Sequence, residues 1–111
     1  MEEFGVSVAI REGCQVVTVQ GDLDADTAPR LESELDRLRA GMPVIVDLSG
    51  LRFLTSAGLV TLLAERSFGR PALFCPEGSV GATMLEIVQA QRLVPIYRDL
   101  DPALKSLSAA A

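Results

Sequence analysis

The chain has 111 residues, enough for one domain with a single two-layer core. Hydrophobic residues make up 49% and charged residues 23%, a balance typical of soluble globular proteins, and no apolar run reaches the ~18 residues that span a bilayer. A net charge of −5 with one Tyr and four Phe argues against nucleic acid as a partner, and the absence of His removes Ser-His-Asp and Cys-His catalysis and the usual His-based metal sites.

The N-terminus, Met1-Glu2-Glu3-Phe4, is acidic and has neither the basic region nor the apolar stretch of a secretory signal, so a cytoplasmic location is expected. Cys14 and Cys75 stand far apart in apolar settings, outside any CxxC pair. They are read as buried small hydrophobes with no metal or thioredoxin-like role, a disulfide being the second choice.

Val6 to Ile10 alternates like a strand, Arg11-Glu12-Gly13 reads as a hairpin turn, and Val16 to Val19 is a second strand. Asp26 or Thr27 can cap a first helix, with Pro29 in its first turn. Leu31, Leu35 and Leu38 give it an apolar stripe opposite Glu32, Glu34, Asp36, Arg37 and Arg39, and Gly41 is expected to end it.

Val44 to Leu48 is rich in β-branched residues and reads as a strand covered on both faces. Ser56 is placed as the cap of a second helix with a core face of Leu59, Leu62, Leu63 and the Arg66 stem, broken at Gly69-Arg70-Pro71. Val60, Thr61 and Ala64 fall on its exposed turns. Ala72 to Cys75 reads as a strand. Ser79 can cap a third helix with Val80, Met84, Ile87 and Val88 inward, and Pro95 to Tyr97 is a last strand. Asp101-Pro102 opens a terminal helix carrying Leu104 and Leu107, and the tail from Ala109 to Ala111 is expected to fray. The sum is ββαβαβαβα, an α/β single domain over 1–111. Right-handed crossovers then bring Gly21 to Thr27, Leu48 to Ser56 and Pro76 to Ser79 to the carboxyl edge of the sheet.

At that edge Thr55 and Ser56 stand at a helix start, where unpaired N–H groups and the helix dipole accept a phosphate locally. Asp22, Asp24 and Asp47 would form an acidic surround. An N-cap hydroxyl or a strand-end Asp is more often purely structural, so local chemistry alone does not assign a switch. Gly78-Ser79-Val80-Gly81 is neither a P-loop nor a dinucleotide fingerprint and reads as a capped helix start.

Several segments, in order and spanning nearly the whole chain, resemble one family. Gly21-Asp22-Leu23-Asp24 with Thr27-Ala28-Pro29, the run from Val44 to Leu59, and Leu93-Val94-Pro95-Ile96-Tyr97 are similar to bacterial anti-sigma factor antagonists built on the STAS domain. The resemblance implies a single mixed sheet of about five strands, opened by an antiparallel hairpin and layered with about four helices. It implies a non-enzymatic binding protein without cofactor or metal, monomeric or weakly dimeric, and not associated with membrane.

Unphosphorylated, such a protein binds an anti-sigma factor serine kinase and releases a sigma factor. Phosphorylation expels it, and a serine phosphatase resets it. The family's phosphorylated serine maps to Ser56. Its loop Asp is Thr55 here and its second Ser is Ala57, which leaves open an altered kinase preference, phosphorylation of Thr55 instead, or loss of the switch. The partner surface implied comprises Asp24, Thr55, Ser56, Ala57, Gly58, Val60, Thr61 and Ala64.

Two other readings compete. A non-switching STAS scaffold within a signalling complex is kept alive by Thr55 and Ala57. A receiver-type phosphoacceptor at Asp47 would need an acidic pair after the first strand and a late lysine. The early strands supply no such pair, and Lys105 is the chain's one lysine. A hydrolase reading lacks a base for Ser56.

Overall fold

The computed structural model describes residues 4–110. Met1–Glu3, part of the segment compared above with a secretory signal, and Ala111 of the tail lie outside the described residues. In chain order the elements are β1 (Gly5–Arg11), β2 (Cys14–Leu23), α1 (Ala28–Asp36), β3 (Val44–Leu54), α2 (Ser56–Leu63) and β4 (Ala72–Phe74). They are followed by α3 (Val80–Ile87), a 3-10 turn (Ala90–Arg92), β5 (Ile96–Tyr97) and α4 (Leu100–Ala110). One sheet runs β1-β2-β3-β4-β5, with β1 antiparallel to β2 and every later pair parallel. The expected mixed sheet and four helices are all present.

Glu12 and Gly13 close the hairpin with φ of +50° and +79°, the two positive values a tight two-residue turn requires. Alternation along β3 then divides the core. Val44, Val46 and Leu48 join Val17 and Val19 beneath α1, α2 and α3, while Ile45 joins Cys14, Val16 and Ala72 beneath Ala103 and Leu104 of α4. Both thiols are free and buried, as expected, and burial pushes that of Cys75 up to about 11.

Strand order follows chain order without reversal, so no switch-point crevice opens between helices on opposite faces. A site must instead be assembled from loops and helix surfaces.

β3 continues to Leu54, well past its expected end at Leu48. Two irregularities in its pairing with β2, between Thr18 and Gln20 and between Gly21 and Asp22, each give β3 one extra residue. Leu48, Leu51 and Leu54 therefore all reach the same core. Their three-residue spacing breaks the strand period of two, which is why pattern reading ends the strand early. β2 is likewise longer than expected and carries Gly21 and Asp22 within it.

α1 ends at Asp36, and Gly41 serves a later turn with φ of +86° rather than the helix end. The chain between α1 and β3 is held by Gln15, buried in β2. Its amide nitrogen donates to the carbonyls of Arg39 (2.9 Å) and Met42 (3.1 Å), and its oxygen accepts from the Arg39 N–H (2.8 Å). α2 stops at Leu63, so Arg66 lies beyond the helix. Its guanidinium bonds Asp36 (2.7 Å) and reaches Glu32 (3.5 Å) on α1.

Gln15→Leu keeps bulk but leaves three loop groups without their partner. It should lower unfolding stability by about 2–3 kcal/mol in urea titration, with little change in the slope.

Candidate functional site

The loop between β3 and α2 is seated on the end of β2. The Thr55 N–H donates to the Leu23 carbonyl (3.0 Å), and the Thr55 hydroxyl donates to that same oxygen (3.4 Å) while accepting from the Gly58 N–H (3.5 Å). Thr55, not Ser56, is therefore the N-cap of α2, with the extended backbone that a cap requires. Pattern reading is off by one residue here because both side chains are capping types. Ser56 is the first helical residue and is exposed; Thr55 is half-buried.

Gly58 explains how closely α2 approaches. A Cβ built there would lie 2.7 Å from Leu23 Cγ, 2.8 Å from the Leu23 carbonyl oxygen and 2.9 Å from Leu54 Cδ1. α3 makes a milder approach through Gly81, whose Cβ would meet Cys75 Sγ at 3.4 Å, Leu48 Cβ at 3.7 Å and Leu51 Cδ2 at 3.8 Å. Ser79 caps α3 as expected, accepting from the Ala82 N–H (3.2 Å).

The small face of α3, Gly81 and Ala82 with Leu85, is its buried face. Of the residues expected inward, Val80, Ile87 and Val88 are exposed, Ile87 to 72%, and Met84 is half-buried. The expectation followed the large apolar side chains, whereas close packing selected the small ones. On α2, Val60 is exposed and Ala64 half-buried, but Thr61 is buried and returns its hydroxyl to the Ala57 carbonyl (3.4 Å).

The outward residues line two grooves. One, about 350 Å³, runs between Phe53 and Leu54 of β3 and Ser79, Val80, Met84 and Ile87. The other, about 480 Å³, runs between Ser56, Leu59, Val60 and Leu63 of α2 and Val88 and Leu93. No charged residue lines either groove. Sequence reading missed Phe53, Val80, Ile87, Val88 and Leu93 as surface; the signal that could have found them is the adjacent pair Gly81-Ala82.

The three acidic residues do not form one cluster. The Asp22 carboxylate is held by Arg52 (3.0 and 3.1 Å), and that bond keeps its pKa below the usual carboxylate range. Asp24 accepts from the N–H groups of Asp26 (2.9 Å) and Thr27 (3.1 Å) and so shapes the turn into α1. It directly follows Leu23, on which Thr55 is anchored. Asp47 lies mid-strand, paired with Thr18 and Phe74, and accepts from the Ser49 hydroxyl (2.7 Å). Seven residues of strand put it roughly 20 Å from the loop. Among the described residues, no group of three metal-ligating side chains converges.

The fold thus sets a helix-start loop beside two apolar grooves. A model of the STAS domain family matches residues 6–103, and the chain belongs to that family. It is 30% identical over 108 residues to the anti-sigma-F factor antagonist RsfB of Mycobacterium tuberculosis, covering 93% of this chain and 88% of the relative. Among solved structures it resembles an anti-sigma factor antagonist from Mycobacterium paratuberculosis (TM-score 0.75, 25% identity, 95% and 94% of the two chains). It also shares the fold of the anti-sigma factor antagonist SpoIIAA in its unphosphorylated form (TM-score 0.70, 16% identity, 96% and 97%).

Two sets of substitutions test this geometry. Gly58→Ala should destabilise the protein by about 1–3 kcal/mol, because overpacking against Leu23 outweighs the ~1 kcal/mol that Ala gains in helix propensity. Thr55→Ala should cost about 0.5–1 kcal/mol for the lost cap and Ser56→Ala almost nothing, with thermal unfolding comparing the two.

Proposed function

We propose that the chain is an anti-sigma factor antagonist that works by partner switching, with Ser56 as the phosphorylated residue. In its unphosphorylated form it docks the Ser56 loop, α2 and the flanking grooves on a cytoplasmic anti-sigma factor with serine kinase activity, and a sigma factor is released. Phosphate on Ser56 dissociates the pair, and a separate serine phosphatase restores binding. The chain itself performs no catalysis.

The observation that carries this reading is the exposed Ser56 hydroxyl on the wall of an uncharged groove, beside a Thr55 hydroxyl committed to the cap. A kinase can reach Ser56 without opening the helix, whereas Thr55 would have to surrender its bonds to Leu23 and Gly58.

The electrostatics also favour a revised account of the switch. With Asp22 paired to Arg52, Asp24 bound in a turn and Asp47 distant, repulsion by a local acidic cluster is not the main effect. A phosphoserine instead brings a charge of about −1.5 to −2 onto a surface whose partner must bury uncharged grooves. Moving such a pair from mostly bound to mostly free takes about 3–5 kcal/mol of differential affinity, and desolvating a dianion is of that order. Thr55, at the position of the family's loop Asp, caps α2 through its hydroxyl and brings no charge to the loop.

Phosphosite mapping on protein recovered from its host should find phosphate on Ser56, lost in Ser56→Ala and retained in Thr55→Ala. Ser56→Glu should bind the anti-sigma factor at least tenfold more weakly than Ser56→Ala, read by titration calorimetry. Phosphate on Thr55 would move the switch to that residue. A loop unmodified through growth and stress, with equal binding by the two Ser56 variants, would favour the scaffold reading.

A further inference from the structure

The sheet has two edges of unequal character. β5, at one end, is two residues long, and the neighbouring Arg98 is bound to Glu86 (3.0 Å) and Glu77 (3.5 Å). β1, at the other, has seven residues and pairs with β2 without a bulge, from Gly5 with Gln20 to Arg11 with Cys14. It contains no Pro and no Lys, its one charge is Arg11 at the hairpin end, and Val8 and Ile10 are 40% and 56% exposed. Among the described residues, the usual devices that stop an edge strand from pairing are missing.

Hairpin geometry fixes which backbone groups face outward. A two-residue turn makes Arg11 and Cys14 the first hydrogen-bonded pair, and alternation directs the groups of Ala9, Ser7 and Gly5 toward β2. The N–H and C=O groups of Val6, Val8 and Ile10 therefore point away from the sheet. We propose that a second copy of this chain pairs there, β1 against β1 and antiparallel, about a twofold axis through Val8. In that register Val8 meets Val8 and Val6 meets Ile10, so outward groups face outward groups. The Val6, Val8 and Ile10 side chains of both copies then form one apolar stripe on the α1 side of a continuous sheet.

Charge selects the same register. Glu12 falls opposite Phe4 of the second copy, and the Arg30 guanidinium lies over that ring, 5.1 Å from its centroid. Each end of the junction thus sets a carboxylate beside a cation of the other copy. Arg11 falls opposite Gly5, so no like charges oppose. Moving the axis to Val6 or Ile10 loses both matches. None of the residues lining the grooves near Ser56 belongs to β1, so the pairing leaves them open and stands independently of the switch.

Sedimentation equilibrium between about 10 µM and 1 mM tests the pairing. The average mass should climb from the 11.8 kDa of one chain toward twice that value. Val8→Lys, which sets two ammonium groups across the axis, should stay at the single-chain mass with an unchanged circular dichroism spectrum. Glu12→Arg and Arg30→Glu should each weaken association by about threefold, and the double variant should restore it. A wild-type chain that keeps the single-chain mass at 1 mM would overturn the proposal. So would a Val8→Lys variant that associates like wild type, or a double variant that fails to recover.

Discussion

The contact of Gly58 with Leu23 and Leu54 is the constraint on which the arrangement of the site depends. Any side chain at that position would collide with the end of β2, so only glycine lets α2 lie this close to the strands. The approach places Thr55 where its N–H and hydroxyl both meet the Leu23 carbonyl, and it leaves Ser56 on the outer side of the first turn. α3 uses Gly81 and Ala82 in a looser version of the same packing. With small residues taking part of each helix's buried face, Val60 of α2 and Val80 and Ile87 of α3 are left outward, where they wall the two grooves.

That packing in turn requires β3 to present leucines at a spacing no regular strand provides. Leu48, Leu51 and Leu54 reach one core because two bulges absorb the extra residues. The bulges also extend the β2–β3 pair well beyond β4, which has only three residues. The loop bearing Ser56 consequently sits at the end of a long two-stranded extension, and Asp47, level with the end of β4, is left behind in the body of the sheet. An acidic residue that belongs to the same sequence segment as the loop is thereby separated from it in space.

Much of the fold was legible because it rests on local periodicity and turn chemistry. The hairpin at Glu12-Gly13, the Leu31 and Leu35 stripe of α1, the burial of the Val44 to Leu48 run on both faces of the sheet and the Ser79 cap each follow from residues close together in the chain. The candidate loop was legible for a different reason, namely the order and spacing of several segments shared with one family. The errors came where packing overruled hydrophobicity. Val80, Ile87 and Val88 looked like core and are surface, while Thr61 looked like surface and is buried.

By itself, then, the sequence determined the order of elements, the family, and the hydroxyl pair at the start of α2, all of which depend on near neighbours or on ordered motifs. Tertiary structure decided which hydroxyl caps and which is free, because that turns on the Leu23 carbonyl, thirty-two residues from Thr55. It also decided that Asp22 is neutralised by Arg52 across thirty residues, and which face of α3 meets the sheet. These outcomes depend on distances between segments remote in the chain, and hydrophobic periodicity carries no information about how closely two packed surfaces can approach.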